Sequence, residues 1–446
     1  MMIRIYEDID SAQVILQRKT MNTVGDVPDV ILRSIERVFG ESLTPDEAVA
    51  KLLTEVQDQG DAAIQNWTQR IDGLVMDRFE IPKSTWKASY DALDASLRGA
   101  LHTAVERIKA FHERQPITNW TTDEMGGLMG QRMVPMRSVG VYVPAGSVPL
   151  PSSLLMAVIP ARVAGVESIY VCTPADRETG EISDIMLAAA YIGNVDRLFT
   201  IGGALAIAAL AYGTASIPRV DKIVGAGGLF TTLAKRQVFG YVGLDGLYGP
   251  TETVVVADES ANPAWVAADL LAQAEHDVLA TAILITPSKK LAENVRSEVA
   301  AQLAGLRRAD IILASLAGQG GIILTPDLET AIHLADDYAP EHLCLSVENP
   351  AFWVNRIHNA GGIFVGEYSF EVLGDYVAGP SHIMPTGGTA RFKGPVNVLD
   401  FVKVINIIGL DQAAAQTLAN DAVSIAHAEG LTAHAAAAAF RAGGSN

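Results

Sequence analysis

The sequence predicts an α/β protein built on two doubly wound parallel sheets in tandem, with small helical segments at its N- and C-terminal ends. Three observations carry this. Short β-branched runs alternate with Ala/Leu-rich helical stretches from residue 138 onward. The same alternation restarts after "GPTE" (249–252). Aromatic residues make up only 6% of a chain that is 49% hydrophobic, a balance that suits closely packed helices on sheets buried on both faces.

The first hundred residues read as helical. "LTPDEAVAKLLTEVQDQGDAAI" offers Thr44 as N-cap, Pro45 at the first helical position and Gly60 past the last turn. A second helix is expected over roughly 92–113 from its apolar spacing. From residue 138, "SVGVYVP", "SIYVCTP", "RLFTIGG" and "DKIVGAGG" read as strands, with helices between and after them. The second unit repeats the scheme through "TVVVADE", "ATAILITP", "GGIILTP", "EHLCLSV" and "GIFVGEY". Such units place ligands at the carboxyl ends of their strands. Two similar units in tandem suggest an old duplication. From about residue 390 the pattern turns irregular, then closes in an Ala-rich helix that reads equally as a surface lid or an inter-subunit arm.

At 446 residues the chain is long enough for at least two domains. Its net charge of −18 argues against nucleic acid and anionic membranes, and for small molecules or other subunits as partners. Acidic residues occupy the N-terminus where a signal peptide needs an apolar core, and no apolar run reaches about 18 residues. A soluble cytoplasmic protein is expected. Cys172 and Cys344 each sit inside an apolar run and form no CxxC pair, so buried strand cysteines are expected rather than a disulfide or thiolate metal site.

No nucleotide motif is complete. "VGAGGLF" supplies Gly225, Gly227 and Gly228, but Phe230 replaces the third glycine of GxGxxG, and taken alone it is a tight strand-to-helix turn. Walker A, GxSxG and HExxH are absent. The histidines say more. His102, His112, His333, His358 and His427 fall on ordinary helical stretches. The other four stand beside a second polar group: Gln273 and His276 in "QAEH", Glu341 and His342 in "YAPEHL", Asp375 and His382 in "GDYVAGPSH", Glu429 and His434 in "EGLTAH". Each has an ordinary reading as well. His276 suits a helix C-terminus, Glu341 and His342 a charged strand start, Asp375 a turn cap and His434 an exposed tail. Together, Gln273, His276, Asp375 and His434 make a plausible N/O set for a divalent metal.

Long motifs in order then carry a resemblance. "VGVYVPAG", "GGALAIAALAYGT", "VDKIVG", "LAKRQV", "GPTE", "DLLAQAEHD", "YAPEHL", "GDYVAGPSH" and "GLTAH" resemble the histidinol dehydrogenase family in sequence and spacing, from about residue 30 to the end. The resemblance implies an NAD-dependent enzyme with one zinc ion (Zn2+) per subunit, which oxidises L-histidinol to histidine through the aldehyde using two NAD+. It implies two Rossmann-like domains and a homodimer with shared active sites. Under it, residues 1–40 form an N-terminal arm, 41–141 with 251–390 a first domain carrying most metal and acid–base residues, 142–250 a second domain on the NAD side, and 391–446 a tail completing the partner subunit's site. The implied zinc ligands are Gln273, His276, Asp375 and His434, and the acid–base pair is Glu341 and His342. The substrate would also meet Thr251, where the family usually has serine, together with His342 and Glu429. Zinc would clamp the amino alcohol, His342 would take the hydroxyl proton, and Glu341 would act as base for water adding to the aldehyde.

The sequence departs from the family at the cofactor. Of the NAD contacts, Tyr142 is kept, but Leu205 stands in place of a glutamine and Gly228 in place of an asparagine; Ser381 also replaces a common asparagine. Alternatives are a paralogous zinc-dependent dehydrogenase of another chelating alcohol, and a non-redox zinc-pocket protein that binds a small ligand. Intact Glu341 and His342 argue against a pure binder. Too few cysteines argue against thiolate-zinc alcohol dehydrogenases, and the strand setting of Cys344 against an aldehyde dehydrogenase nucleophile.

Overall fold

A computed structural model describes residues 3–18, 27–145 and 148–442. Strand β1 (Ile5–Tyr6) opens the chain, followed after a run of helices by β2 (Trp120–Thr122) and β3 (Gly127–Pro135). Strands β4 (Ser138–Tyr142), β5 (Ser168–Thr173), β6 (Arg197–Thr200), β7 (Lys222–Val224) and β8 (Gly243–Leu244) build one parallel sheet, in the order β6-β5-β4-β7-β8. Strands β9 (Glu252–Ala257), β10 (Thr281–Thr286), β11 (Gly321–Leu324), β12 (His342–Ser346) and β13 (Gly362–Val365) build the other. Its order is β1-β11-β10-β9-β12-β13, again parallel throughout, with β1 added at the edge. β14 (Val402–Leu410) pairs antiparallel with β3, and β2 completes that small third sheet.

The two parallel sheets are wound alike. In each, the first strand lies inside, two strands run out on one side, and the chain returns to the other. The winding reverses between β4 and β7, and between β9 and β12. Alternating side chains fill a core on each face: in β9, Val254 and Val256 enter one cluster while Val255 and Ala257 enter the opposite one. Cys172 and Cys344 are buried and unpaired, as expected.

The helix Pro45–Gln59 has its Thr44 cap and a capping box closed by Glu47. Its location differs from the domain grouping given above. The helix Gly203–Tyr212 is apolar on every side, with Ala204 to Ala211 all buried, so a second layer must cover the side away from its sheet. Val49, Leu52, Leu53 and Val56 of Pro45–Gln59, with Trp67 behind them, provide that cover. The helices Lys83–Ala92 and Ala95–His112 pack on Asp184–Ile192 and Pro151–Val163. The helical part of residues 41–141 therefore joins the five-stranded sheet rather than residues 251–390. From the same end of the chain, β1 of the N-terminal arm crosses to the six-stranded sheet and pairs with β11. The irregular stretch expected after residue 390 contains the nine-residue strand β14. No helix among the described residues is long and apolar enough to cross a membrane.

Candidate active site

In the six-stranded sheet the polar residues gather at the amino ends of the strands, not at the carboxyl ends expected from the winding. The helix Leu328–Tyr338 stops at Ala339 in the left-handed conformation (φ 53°), Pro340 blocks its continuation, and Glu341 and His342 lead into β12. Beside them, Thr251 and Glu252 lead into β9, with Thr253 paired to His342. Gln273 lies in the last turn of the helix Pro263–Ala274 and His276 just beyond it.

Hydrogen bonds join these groups. Thr251 Oγ1 donates to Glu341 Oε2 at 2.5 Å and accepts from Gln273 Nε2 at 2.8 Å. The Glu252 backbone N–H donates to the same carboxylate oxygen at 3.1 Å. With its amide nitrogen so engaged, Gln273 leaves Oε1 buried and without a hydrogen-bond partner among the described residues. His342 is held similarly. Its Nδ1 lies 3.4 Å from the Glu252 carbonyl, 3.7 Å from Glu341 and 3.9 Å from Glu371, while Nε2 is buried and unpartnered. A proton on Nδ1 leaves the Nε2 lone pair free, the form a general base needs.

Burial sets the charges. It pushes the Glu341 carboxyl up to about 7, although His342 and the Thr251 hydroxyl pull the other way. Glu371 is raised well above the carboxylate range by burial and then by Asp375, with Thr253 Oγ1 donating to its Oε2 at 2.5 Å. Burial also raises Glu252, which Arg18 opposes through hydrogen bonds of 2.6 and 2.9 Å. Arg18 further stacks 3.7 Å over the Tyr338 ring, so the N-terminal arm seals the base of the site.

The nominated metal residues are brought together in part. Asp375 lies close enough to His276 to oppose the effect of burial on that ring. The Asp375 carbonyl is 2.8 Å from His382 Nδ1, and His382 Nε2 is 3.0 Å from Ser153 Oγ. Glu429 and His434 lie elsewhere, exposed at the end of the helix Gln412–Ala428 and on the helix Thr432–Ala439. Among the described residues of one chain, no three His, Cys, Asp or Glu side chains form a metal cluster.

The nominated cofactor residues lie at the carboxyl end of the five-stranded sheet, as expected there. Tyr142 ends β4, and its hydroxyl accepts from the Gly203 N–H at 3.0 Å. Gly225 follows β7 with φ +116°, and a Cβ there would stand 2.1 Å from the Tyr142 carbonyl oxygen, so only glycine fits. Gly228 caps the helix Leu229–Val238, with open space where its side chain would be. Leu205 is 3% exposed and packed in the helix–sheet core, an apolar side chain with no polar group to offer a cofactor. Ser153, early in the helix after β4, bonds His382 from the other unit, so this mouth opens toward the acid–base residues.

Sequence reasoning missed Glu371, Thr253 and Arg18. For Glu371 a signal existed: it precedes Asp375 by four residues, one helical turn on the same face. Arg18 gave no local signal, since its partner is 234 residues away.

A buried histidine set between carboxylates, linked through Ser153 and His382 to a doubly wound sheet with glycine turns at its carboxyl end, is the kind of site an α/β enzyme builds. Comparisons with known proteins agree. The family described as Histidinol dehydrogenase matches residues 40–442. Histidinol dehydrogenase of Thermus thermophilus is 49% identical over 407 residues, covering 91% of this chain and 97% of that one. The Deinococcus radiodurans enzyme is 46% identical over 417 residues, covering 93% and 95%. A crystal structure of histidinol dehydrogenase from Elizabethkingia anophelis superposes with a TM-score of 0.89 at 30% identity, covering 98% of each chain. The chain belongs to the histidinol dehydrogenase family, and it is an oxidoreductase.

Proposed function

We propose that the protein is an NAD- and zinc-dependent dehydrogenase that oxidises L-histidinol to L-histidine through the aldehyde. The observation that carries this is a pair of buried, unpartnered atoms at one site: Gln273 Oε1, suited to a metal, and His342 Nε2, suited to a proton. His276 and Asp375 supply two further ligands of the right type. His434 and Glu429, exposed on the tail, would complete the site from the partner in a homodimer. When bound, zinc held by these residues would fix the amino alcohol in place, and NAD+ would supply the hydride acceptor.

His342 Nε2 takes the hydroxyl proton in each oxidation. Glu341, its carboxyl pushed by burial up to about 7, accepts a proton from the water that adds to the aldehyde, and the Thr251 hydroxyl holds it in position. Alcohol, water and two NAD+ give carboxylate, two NADH and three protons. Burial of Glu341 and His342 keeps bulk water from the aldehyde between the steps. For the cofactor, the backbone turns at Gly203 and Gly225–Gly228 stand at helix N-termini and suit phosphates, in place of side-chain contacts. The strong net negative charge supports a small-molecule role without nucleic-acid or anionic-membrane partners.

Purified, zinc-loaded protein is to be assayed with L-histidinol and NAD+, counting NADH per histidine. Two NADH per histidine is the expected result. No turnover in protein that holds zinc would favour a paralogue acting on another chelating alcohol, the second reading that the buried Leu205 supports.

A further inference from the structure

We propose that the buried Lys235–Asp245 pair is a positioning device for the cofactor mouth, holding the Gly225 turn rigid and tying it to the turn that carries Thr251. This rests on the reading that the mouth takes NAD.

Both side chains are inaccessible, at 1% and 0% exposure, and meet at 2.6 Å. Their remaining hydrogen bonds converge on one residue. Lys235 Nζ donates to the Gly225 carbonyl at 2.8 Å, and the Gly225 N–H donates to Asp245 Oδ2 at 2.7 Å. β7 ends at Val224, and the backbone at Gly225 turns into the positive-φ region, out of the strand. The ion pair therefore supplies the partners for both backbone polar groups of a residue that must be glycine at this mouth.

Asp245 also accepts from the Gly246 N–H at 2.8 Å and from the Tyr248 hydroxyl at 3.0 Å, and Lys235 Nζ lies 4.9 Å from the Tyr248 ring centroid. The network then reaches the second unit. Thr232 Oγ1 donates to the Tyr248 carbonyl at 2.8 Å, and the Gly249 N–H donates to Thr386 Oγ1 at 2.6 Å. Two residues further on, Thr251 donates to Glu341.

Stability alone gives no reason for such a pair, because a well-packed apolar pair of similar size serves a core as well or better. What an apolar pair cannot do is hold an N–H and a C=O in fixed directions. A turn fixed before binding lowers the ordering cost of taking a ligand.

The test uses the full-length, zinc-loaded protein with Lys235→Met and Asp245→Asn, measuring NAD+ affinity by calorimetry and steady-state kinetics in parallel. The Kd and KM for NAD+ should rise about tenfold. The kcat at saturating NAD+ should stay within about threefold, with zinc content and L-histidinol affinity unchanged. Asp245→Asn keeps an acceptor for the Gly225 N–H and carries the test if Lys235→Met fails to fold. Arg162→Met is the control: it breaks the 2.5 Å pair with Asp196 in the same unit and should lower the melting temperature without moving the NAD+ Kd. Variants that lose melting temperature but bind NAD+ like the wild type would overturn the proposal and leave the reading of the mouth intact. A wild type that binds no NAD+ would remove both.

Discussion

The two parallel sheets share one winding order but use opposite ends. The five-stranded sheet presents its carboxyl end, where the helices Gly203–Tyr212 and Leu229–Val238 begin. The six-stranded sheet presents its amino end, where the helices Pro263–Ala274 and Leu328–Tyr338 finish. Helix N-termini carry partial positive charge and free N–H groups, so the first arrangement suits a nucleotide's phosphates. Helix C-termini carry partial negative charge, so the second suits a metal ion and a protonated amine. Ser153 and His382 join the two ends, and under the proposed function one end would receive the anion and the other the cation. Under the proposed function, the carboxyl-end rule serves the first sheet, whose ligand is an anion, and fails for the second, whose ligand is a cation.

Breaking the cation side should have the largest effect. His434→Ala removes the exposed tail residue proposed as a ligand, and zinc affinity measured by chelator competition should fall roughly a hundredfold or more, with turnover lost. Wild-type zinc affinity would show that the tail does not complete the site.

The pH profile comes next. Burial raises Glu341 from the ordinary carboxylate value of 4.5 to about 7, so the base form accumulates as pH rises through 7. The kcat/KM for L-histidinol should therefore climb across that range, and Glu341→Gln should flatten the limb while lowering activity by about 10²-fold. Stability should run the opposite way. Burial's favour for the protonated form is fully present below pH 4.5 and lost as pH rises through 7, a loss that Glu341→Gln should remove from denaturant titrations.

The phosphate side can be sharpened with two glycines. Gly225→Ala forces a methyl to 2.1 Å from the Tyr142 carbonyl at a positive φ and should cost about 3 kcal/mol in urea unfolding. Gly228→Asn meets open space at φ −70° and should leave stability within about 0.5 kcal/mol. It restores a polar side chain at the mouth and should tighten NAD+ by about fivefold.

Much of this was legible in the sequence where the signal is local. Thr44, Pro45 and Gly60 bracket their helix as read, and the strand-helix alternation gives both sheets. Glu341, His342 and Gln273 were visible as polar residues placed where apolar ones belong, and they do converge. Long-range pairing was not legible. β14 reads as irregular because most of it is exposed on both faces and its partner β3 lies some 270 residues earlier. The cover over the helix Gly203–Tyr212 comes from residues 45–59, which nothing in their own sequence assigns to that unit. The working end of the six-stranded sheet depends on which helix ends converge there, a property of topology rather than of any motif.

The division of labour between the two ends is tested most directly by measuring NAD+ affinity and turnover together in zinc-loaded His342→Asn. NAD+ should bind as in the wild type, with NADH formation reduced by about 10³-fold or more. Substantial NADH formation, or loss of NAD+ binding without loss of fold, would contradict it.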